Sequence, residues 1–317
     1  MHFAFTDDQL ALRDAVRDLL DKECTPDQLR VAWRAETGRI PGLWAKLSEM
    51  GVTALTAPEE YGGLGMNDLD LVLILEETGR AALPEPIVEH VAVALPLLLD
   101  ADERTFGARL LDGFMPYANS CDAYVLARDG ELHLVEREIV ALEPHQSVDG
   151  ARRLFGFDWT ASEATRIGGG EEYGLGLDRG ALGVAAQLCG LADRMIAMTV
   201  DYVKERKQFG VPIGSFQAVK HQLANARMQL EFARPLVYRA AYSAANDDAA
   251  RSTHVSMAKA SASDAAELAG RVALQCHGAI AYTVEYDLHL YLKRTWALAR
   301  AWGDAAWHRA RVANVVL

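Results

Sequence analysis

The stretch Tyr202-Val-Lys-Glu-Arg206-Lys-Gln208-Phe209-Gly210-Val-Pro212-Ile-Gly214-Ser-Phe216-Gln217-Ala-Val-Lys-His221 decides how the chain is read. Helical periodicity runs into it through Val184, Leu188, Leu191, Met195, Met198 and Tyr202. Gly210, Pro212 and Gly214 then impose a turn, and Ser215 is expected to cap the free amides of a following helix. Arg206 and Gln208 thus fall at a helix end beside a fixed turn, with Phe216 and Gln217 in the first turn of the next helix. A guanidinium beside exposed helix-start amides suits a pyrophosphate. The same basic residues also satisfy the last carbonyls of helices, so helix-end chemistry alone leaves both roles open.

Working outward, the spacing predicts a long helix from about 182 to 206, a second from 215 to 245 kinked at Pro235, and a third from 251 to 276. Terminal helices over 286–301 and 304–315 complete a bundle. A second pointed string, Gln275-Cys276-His277-Gly278-Ala279-Ile280-Ala281-Tyr282, closes the third helix. There Gly278 can take a positive φ and free nearby amides for a ligand, or act simply as a C-cap. His277 has no metal partner at useful spacing, so a structural or solvent-facing histidine is expected.

Upstream, Thr6-Asp-Asp-Gln9 reads as a capping box for a first helix to about Lys22. Pro41 to Gly51 gives a short second helix, and Ala57-Pro-Glu-Glu-Tyr61-Gly-Gly-Leu-Gly65 a tight loop. Asn67 or Asp68 caps a third helix, and Pro84-Glu-Pro86 starts a fourth that Pro96 bends or restarts. From Met115 the pattern turns to strands: a hairpin at 123–135 turning on Asp129-Gly130, then pieces at 138–142 and 154–159. The expected organisation is mostly α: a helical domain at 1–111, a small β-domain at 112–168 and a helical bundle at 169–317.

Half of the 317 residues are hydrophobic, but no run of eighteen uncharged apolar residues suggests a membrane span. The opening Met1-His-Phe-Ala-Phe-Thr6 lacks an export signal, so a cytosolic protein is expected. Four cysteines without paired spacing indicate neither a zinc site nor a disulfide framework. A formal net charge of -12 opposes nucleic-acid binding.

Arg206-x-Gln208-Phe209-Gly210-x-Pro212-Ile213, followed by Phe216-Gln217, resembles the signature of the acyl-CoA dehydrogenase flavoproteins, and the Pro58 to Gly65 loop resembles their N-terminal domain. Gln275 to Ala281 is similar to the family's Gln-x-x-Gly-Gly-x-Gly loop, with Ala279 and Ala281 where glycine is usual. The resemblance implies that Arg206, Gln208, Phe209, Phe216, Gln217, Gln275, Cys276, Gly278 and Ala279 hold the pyrophosphate and adenosine end of FAD bound chiefly by a neighbouring subunit. An electron-accepting flavoprotein is implied as a further partner.

The departures from that pattern matter as much. A complete family β-domain is about twice this size, and neither the Ala-Leu-Thr-Glu-Pro-type loop nor the Trp-Ile-Thr-type strand is found. Trp159 reads as packing instead. The family's base glutamate is matched by Trp302 at one of its two positions and by Arg179-Gly180-Ala181 at the other. No catalytic residue is therefore assigned; Asp178 and Asp304 are the nearest acids, and Asp304 reads as an N-cap. The chain looks like a short partner subunit of the actinobacterial heterotetrameric enzymes acting on CoA thioesters of steroid side chains. That implies an α2β2 assembly whose catalytic subunit carries the flavin ring, most of the substrate contacts and the base. A self-sufficient homo-oligomer using Asp304 or Asp178, and a flavin-free structural subunit, are the competing readings.

Overall fold

The computed structural model of the protein describes residues 4–98 and 104–317. Helix α1 (Asp7–Glu23) opens on the expected capping box: the Thr6 hydroxyl accepts from the Gln9 amide and the Gln9 carboxamide oxygen from the Thr6 amide. A helix not anticipated from the sequence, α2 (Pro26–Arg34), follows, capped by Thr25 with Pro26 at its first position. Then come α3 (Leu43–Glu49) and α4 (Asp68–Arg80), the latter capped by Asn67. The predicted fourth helix is π-helical over Val88–Ala94 before α-helical bonding restarts in α5 (Leu95–Leu98). Pro96, which has no N–H to donate, lies at that restart.

The expected helical stretch to Leu111 ends early, because β1 (Phe106–Arg109) is a strand. It pairs in parallel with β3 (Ala123–Arg128), a partner no local hairpin pattern reveals. β2 (Met115–Pro116) lies between them in sequence but joins a different sheet. The hairpin of β3 with β4 (Glu131–Glu136) turns at Asp129 (φ 52°) and Gly130 (φ 80°) as read from the sequence. β5 (Glu143–His145) and β6 (Leu154–Gly156) complete a three-stranded sheet with β2, and β7 (Arg166–Gly169) closes the four-stranded one beside β4. The strand expected at 138–142 is instead a 3₁₀ turn at Arg137–Ile139 followed by β5, with Ile139 left exposed. The piece at 154–159 keeps only β6; Trp159 packs with Met115, Tyr124 and Val135 in a small second core.

Helix α6 (Glu171–Glu205) is the spine. Its 35 residues span about 52 Å at helical rise, and it begins earlier than the apolar pattern suggests, immediately after Gly170. An 18-residue window of it is apolar enough to cross a bilayer, yet 78% of that window is buried inside the fold. Two two-residue strands, β8 (Lys207–Gln208) and β9 (Val211–Pro212), lead to α7 (Gln217–Ala245), which continues through Pro235. α8 (Arg251–His277), α9 (Leu288–Arg300) and α10 (Ala305–Val316) complete the bundle.

Buried polar contacts tie the three regions together. Arg294 of α9 is 4% exposed and ion-pairs with buried Asp149 while donating to the Leu83 carbonyl at 2.6 Å. Arg179 of α6 pairs with Asp68 of α4 at 3.1 Å. Removing one partner of such a pair leaves an uncompensated buried charge, which costs about 3–5 kcal/mol. The four cysteines are buried and unpaired: Cys24 caps α1, Cys121 sits under the sheet, Cys189 lies in mid-α6 and Cys276 near the end of α8.

Candidate functional site

At the end of α6 the Arg206 amide still donates to the Tyr202 carbonyl at 2.8 Å, after which the backbone becomes extended. The β8–β9 hairpin turns on Phe209 (φ 52°) and Gly210 (φ 80°), and the Ile213 amide returns to the Arg206 carbonyl at 2.8 Å. Phe209 is 93% exposed at the tip and meets Phe216 edge-on at 6.3 Å. Ser215 does not cap the next helix. Its hydroxyl donates to the Pro212 carbonyl at 2.7 Å, and Phe216 occupies the N-cap position, not the first turn. The reason is register: the Phe216 carbonyl accepts from the Val219 and Lys220 amides, so α7 starts one residue beyond the reach of Ser215. No side chain caps this end and no acid lies in its first turn. Among the described residues, the exposed Arg206 and Lys207 side chains have no ion pair.

The second string arrives at the same end of the bundle. The Tyr202 ring stacks on His277 at 4.3 Å, and the Tyr202 hydroxyl donates to the His277 carbonyl at 3.4 Å. His277 Nδ1–H donates to the Ala273 carbonyl at 2.8 Å, leaving Nε2 to accept from the Tyr286 hydroxyl at 3.0 Å. Burial pushes its pKa down, and with both ring nitrogens engaged His277 bridges Ala273 and Tyr286. Gly278 has φ 66° and ψ −141°, a conformation only glycine adopts readily. A Cβ there would meet nothing within 4 Å, so the surface above it is open. Gln275 and Ala279 are exposed, whereas the Cys276 side chain points inward and leaves only its backbone to a ligand. An unpaired guanidinium, uncapped helix amides, a positive-φ glycine and exposed aromatic rings fit an anionic pyrophosphate joined to a planar base.

The opposite end of α6 is closed. Trp302 (φ 56°) is 9% exposed, and its Cε3 atom lies 2.3 Å from where a Cβ on Gly180 would sit. The two alternative base positions read from the sequence are therefore in contact, and an indole fills the space between them. Lys259, fully buried, fixes this loop by donating to the carbonyls of Ala299 (3.2 Å) and Gly303 (2.9 Å) and to Ser263 Oγ (3.2 Å). His308 Nε2–H donates to the Trp302 carbonyl at 2.9 Å. Burial lowers the pKa of Lys259 to about 7 and that of His308 to about 4.

Both acids considered as a base hold structural positions. Asp178 is fully buried between Arg251 (3.2 Å) and Arg311 (3.1 Å) and accepts from the Ser252 hydroxyl at 2.5 Å. Asp304 caps α10, its carboxylate accepting the Trp307 amide at 2.8 Å, which holds its pKa below the ordinary value. Beside Trp302 lies a cleft of about 420 Å³ with Glu89, Arg109, Arg152 and Arg300 in its lining; neither Asp178 nor Asp304 lines it. The sequence had pointed to none of Glu89, Arg152 and Lys259. For Lys259 a signal existed, a lone lysine in the small-residue run Met257-Ala-Lys-Ala-Ser-Ala-Ser263.

Residues 6–104 match the pattern described as Acyl-CoA dehydrogenase, N-terminal domain, and residues 173–317 the one described as Acyl-CoA dehydrogenase, C-terminal domain. The chain belongs to the acyl-CoA dehydrogenase family. Acyl-CoA dehydrogenase IpdE2 of Mycolicibacterium smegmatis is 34% identical over 303 residues, covering 92% of this chain and 93% of the relative. The ChsE4-ChsE5 complex from Mycobacterium tuberculosis superposes with TM-score 0.91 at 24% identity over 99% of this chain and 98% of that one. A variant of the Tcur3481-Tcur3483 steroid ACAD superposes with TM-score 0.89 at 24% identity over 98% of each chain. The small sheet region at 105–172 is the part between the two matched domains.

Proposed function

We propose that this chain is the non-catalytic subunit of a heteromeric, FAD-dependent acyl-CoA dehydrogenase, most simply α2β2. Its Arg206 hairpin and Gly278 loop hold the pyrophosphate and adenosine end of FAD. The flavin ring, the CoA thioester and the base belong to a catalytic partner. When bound, FAD supplies the hydride acceptor for Cα–Cβ dehydrogenation, with an electron-accepting flavoprotein as the onward partner.

The observation that carries this reading is the separation along α6 of Arg206 from Gly180. Arg206 stands unpaired where the helix ends, and Trp302 fills the base position against Gly180, about 39 Å of helix away. One dinucleotide does not span that length, so a flavin held at Arg206 does not reach the Trp302 position of the same chain, and the proposal seats its ring on a partner. Met228, Phe232 and Leu236, exposed at helical spacing on α7, offer that chain an apolar seat. A steroid-derived thioester is the proposed substrate class, on the likeness to the steroid ACAD and the two-chain ChsE4-ChsE5 complex.

Co-expression with the partner tests it. The assembled enzyme is expected to hold FAD, the isolated chain little. Arg206→Ala removes a charge-assisted contact of roughly 1.5–3 kcal/mol, or about tenfold to a hundredfold in FAD affinity. Stoichiometric FAD with turnover in the isolated chain would overturn the proposal, and unchanged flavin content in the Arg206→Ala complex would favour a flavin-free subunit.

A further inference from the structure

The cleft beside Trp302 has features that the cofactor-tail role does not use. Arg152 sits on a turn fixed from below: its amide donates to the Asp149 carbonyl at 3.1 Å, and the Asp149 carboxylate is itself clamped by buried Arg294. Its half-buried guanidinium lines the cleft and has no close ion pair among the described residues. Glu89, 5% exposed on the π-helical segment, also lines the cleft, and burial pushes its carboxyl pKa up against the pull of Arg152. Arg109 braces the rim by donating to the Gly113 carbonyl at 2.6 Å, and Arg300 stands at the mouth with a 71% exposed side chain.

Charge and shape together define what fits. The lining sets Arg109 and Arg152 against Glu89 and Asp112, and Arg300 is shared with Glu267 (3.8 Å) and Asp304 (3.9 Å), so the guanidinium left to meet a ligand is that of Arg152. Between the charges the walls are apolar, formed by Leu110, Leu154 and Trp302. A cation would meet the guanidinium groups, and a neutral apolar molecule would desolvate Arg152 without compensation. A small inorganic anion would leave the apolar walls wet. The volume falls in the roughly 300–1,000 Å³ range of small-ligand pockets.

We propose that this cleft is a ligand site for an apolar carboxylic acid, whose carboxylate pairs with Arg152 while its hydrocarbon body lies against Leu110, Leu154 and Trp302. The site binds without chemistry and is independent of the Arg206 end of the molecule.

Calorimetric titration of the full chain with decanoate, decanol and acetate tests it. Decanoate is expected to bind saturably with a Kd below about 1 mM, and decanol and acetate roughly tenfold or more weakly than decanoate. Arg152→Met should weaken decanoate by roughly tenfold or more, with Arg152→Lys retaining part of the affinity. FAD content of the assembled enzyme should be unchanged in both variants, which separates this site from the cofactor-tail proposal. Absence of saturable decanoate binding, equal affinity for decanol, or indifference to Arg152→Met would each overturn the proposal. If Arg152→Met does not fold, the comparison of the three probes on the unaltered chain decides alone.

Discussion

Replacing Gly180 by alanine will destabilise this protein, although the same exchange inside an unobstructed helix is stabilising. In mid-helix the exchange gains about 1 kcal/mol, because glycine loses more backbone freedom on folding. Here the added methyl would lie 2.3 Å from Trp302 Cε3 and 2.5 Å from Cδ2, inside van der Waals contact with a ring on a loop whose Gly303 and Trp302 carbonyls are held by Lys259 and His308. Overpacking of that kind costs about 1–3 kcal/mol, so the net effect is a loss of up to about 2 kcal/mol. Trp302→Ala alone should cost about 3–5 kcal/mol as a core truncation. In that background the obstruction is gone, and Gly180→Ala should recover about 1 kcal/mol. The sign of one substitution thus depends on the other, with a coupling of roughly 1–3 kcal/mol. Urea unfolding of the four chains, followed by far-ultraviolet circular dichroism because a tryptophan is removed, measures the cycle. Equal stabilisation by Gly180→Ala in both backgrounds would refute the claim that the indole occupies the base position.

Gly278→Ala should cost about 1–3 kcal/mol in thermal or urea unfolding, since alanine is strained at φ 66° and ψ −141°, and should lower the FAD content of the assembled enzyme. Asp304→Ala should remove an N-cap worth about 1 kcal/mol while leaving turnover per bound flavin unchanged; a collapse of turnover at intact flavin content would restore Asp304 as a base candidate. Lys259 gives a pH signature. Its folded-state pKa of about 7 lies below the ordinary 10.5, so between those values the unfolded chain holds a proton that the folded chain lacks. Stability should therefore rise with pH across that window by up to about 1.4 kcal/mol per unit from this group, the penalty being complete below it and gone above it. Lys259→Met should abolish that component, so a stability difference between the two chains that stays flat from pH 7 to 10 would contradict it.

The features legible in the sequence were those written in local chemistry. The Thr6 capping box, the Asp129-Gly130 hairpin and the turn at Gly210 and Pro212 each need only neighbours a few residues away, and each appears where expected. Strand β1 was not legible because its partner is a parallel strand, which leaves no hairpin in the text. α2 carried its start signal in Thr25-Pro26, but nine residues with Val31 exposed give too short an apolar pattern to stand out. Ser215 misled by a single position, since a serine next to a helix start caps only from the N-cap itself. At the closed end, Trp302 could be read in the sequence as standing where the resemblance puts a glutamate. Its packing against Gly180 could not, because the two meet only through the packing of α6 against the loop before α10.

The four buried thiols give the molecule a built-in set of reporters. Cys24 belongs to the first helical region, Cys121 to the sheets, Cys189 to the centre of the spine and Cys276 to the loop end of the bundle. Burial raises the pKa of each, so an alkylating reagent finds little thiolate until the surrounding region opens. Timed labelling read by peptide mass would rank the four regions by how readily each comes apart, with no substitution introduced.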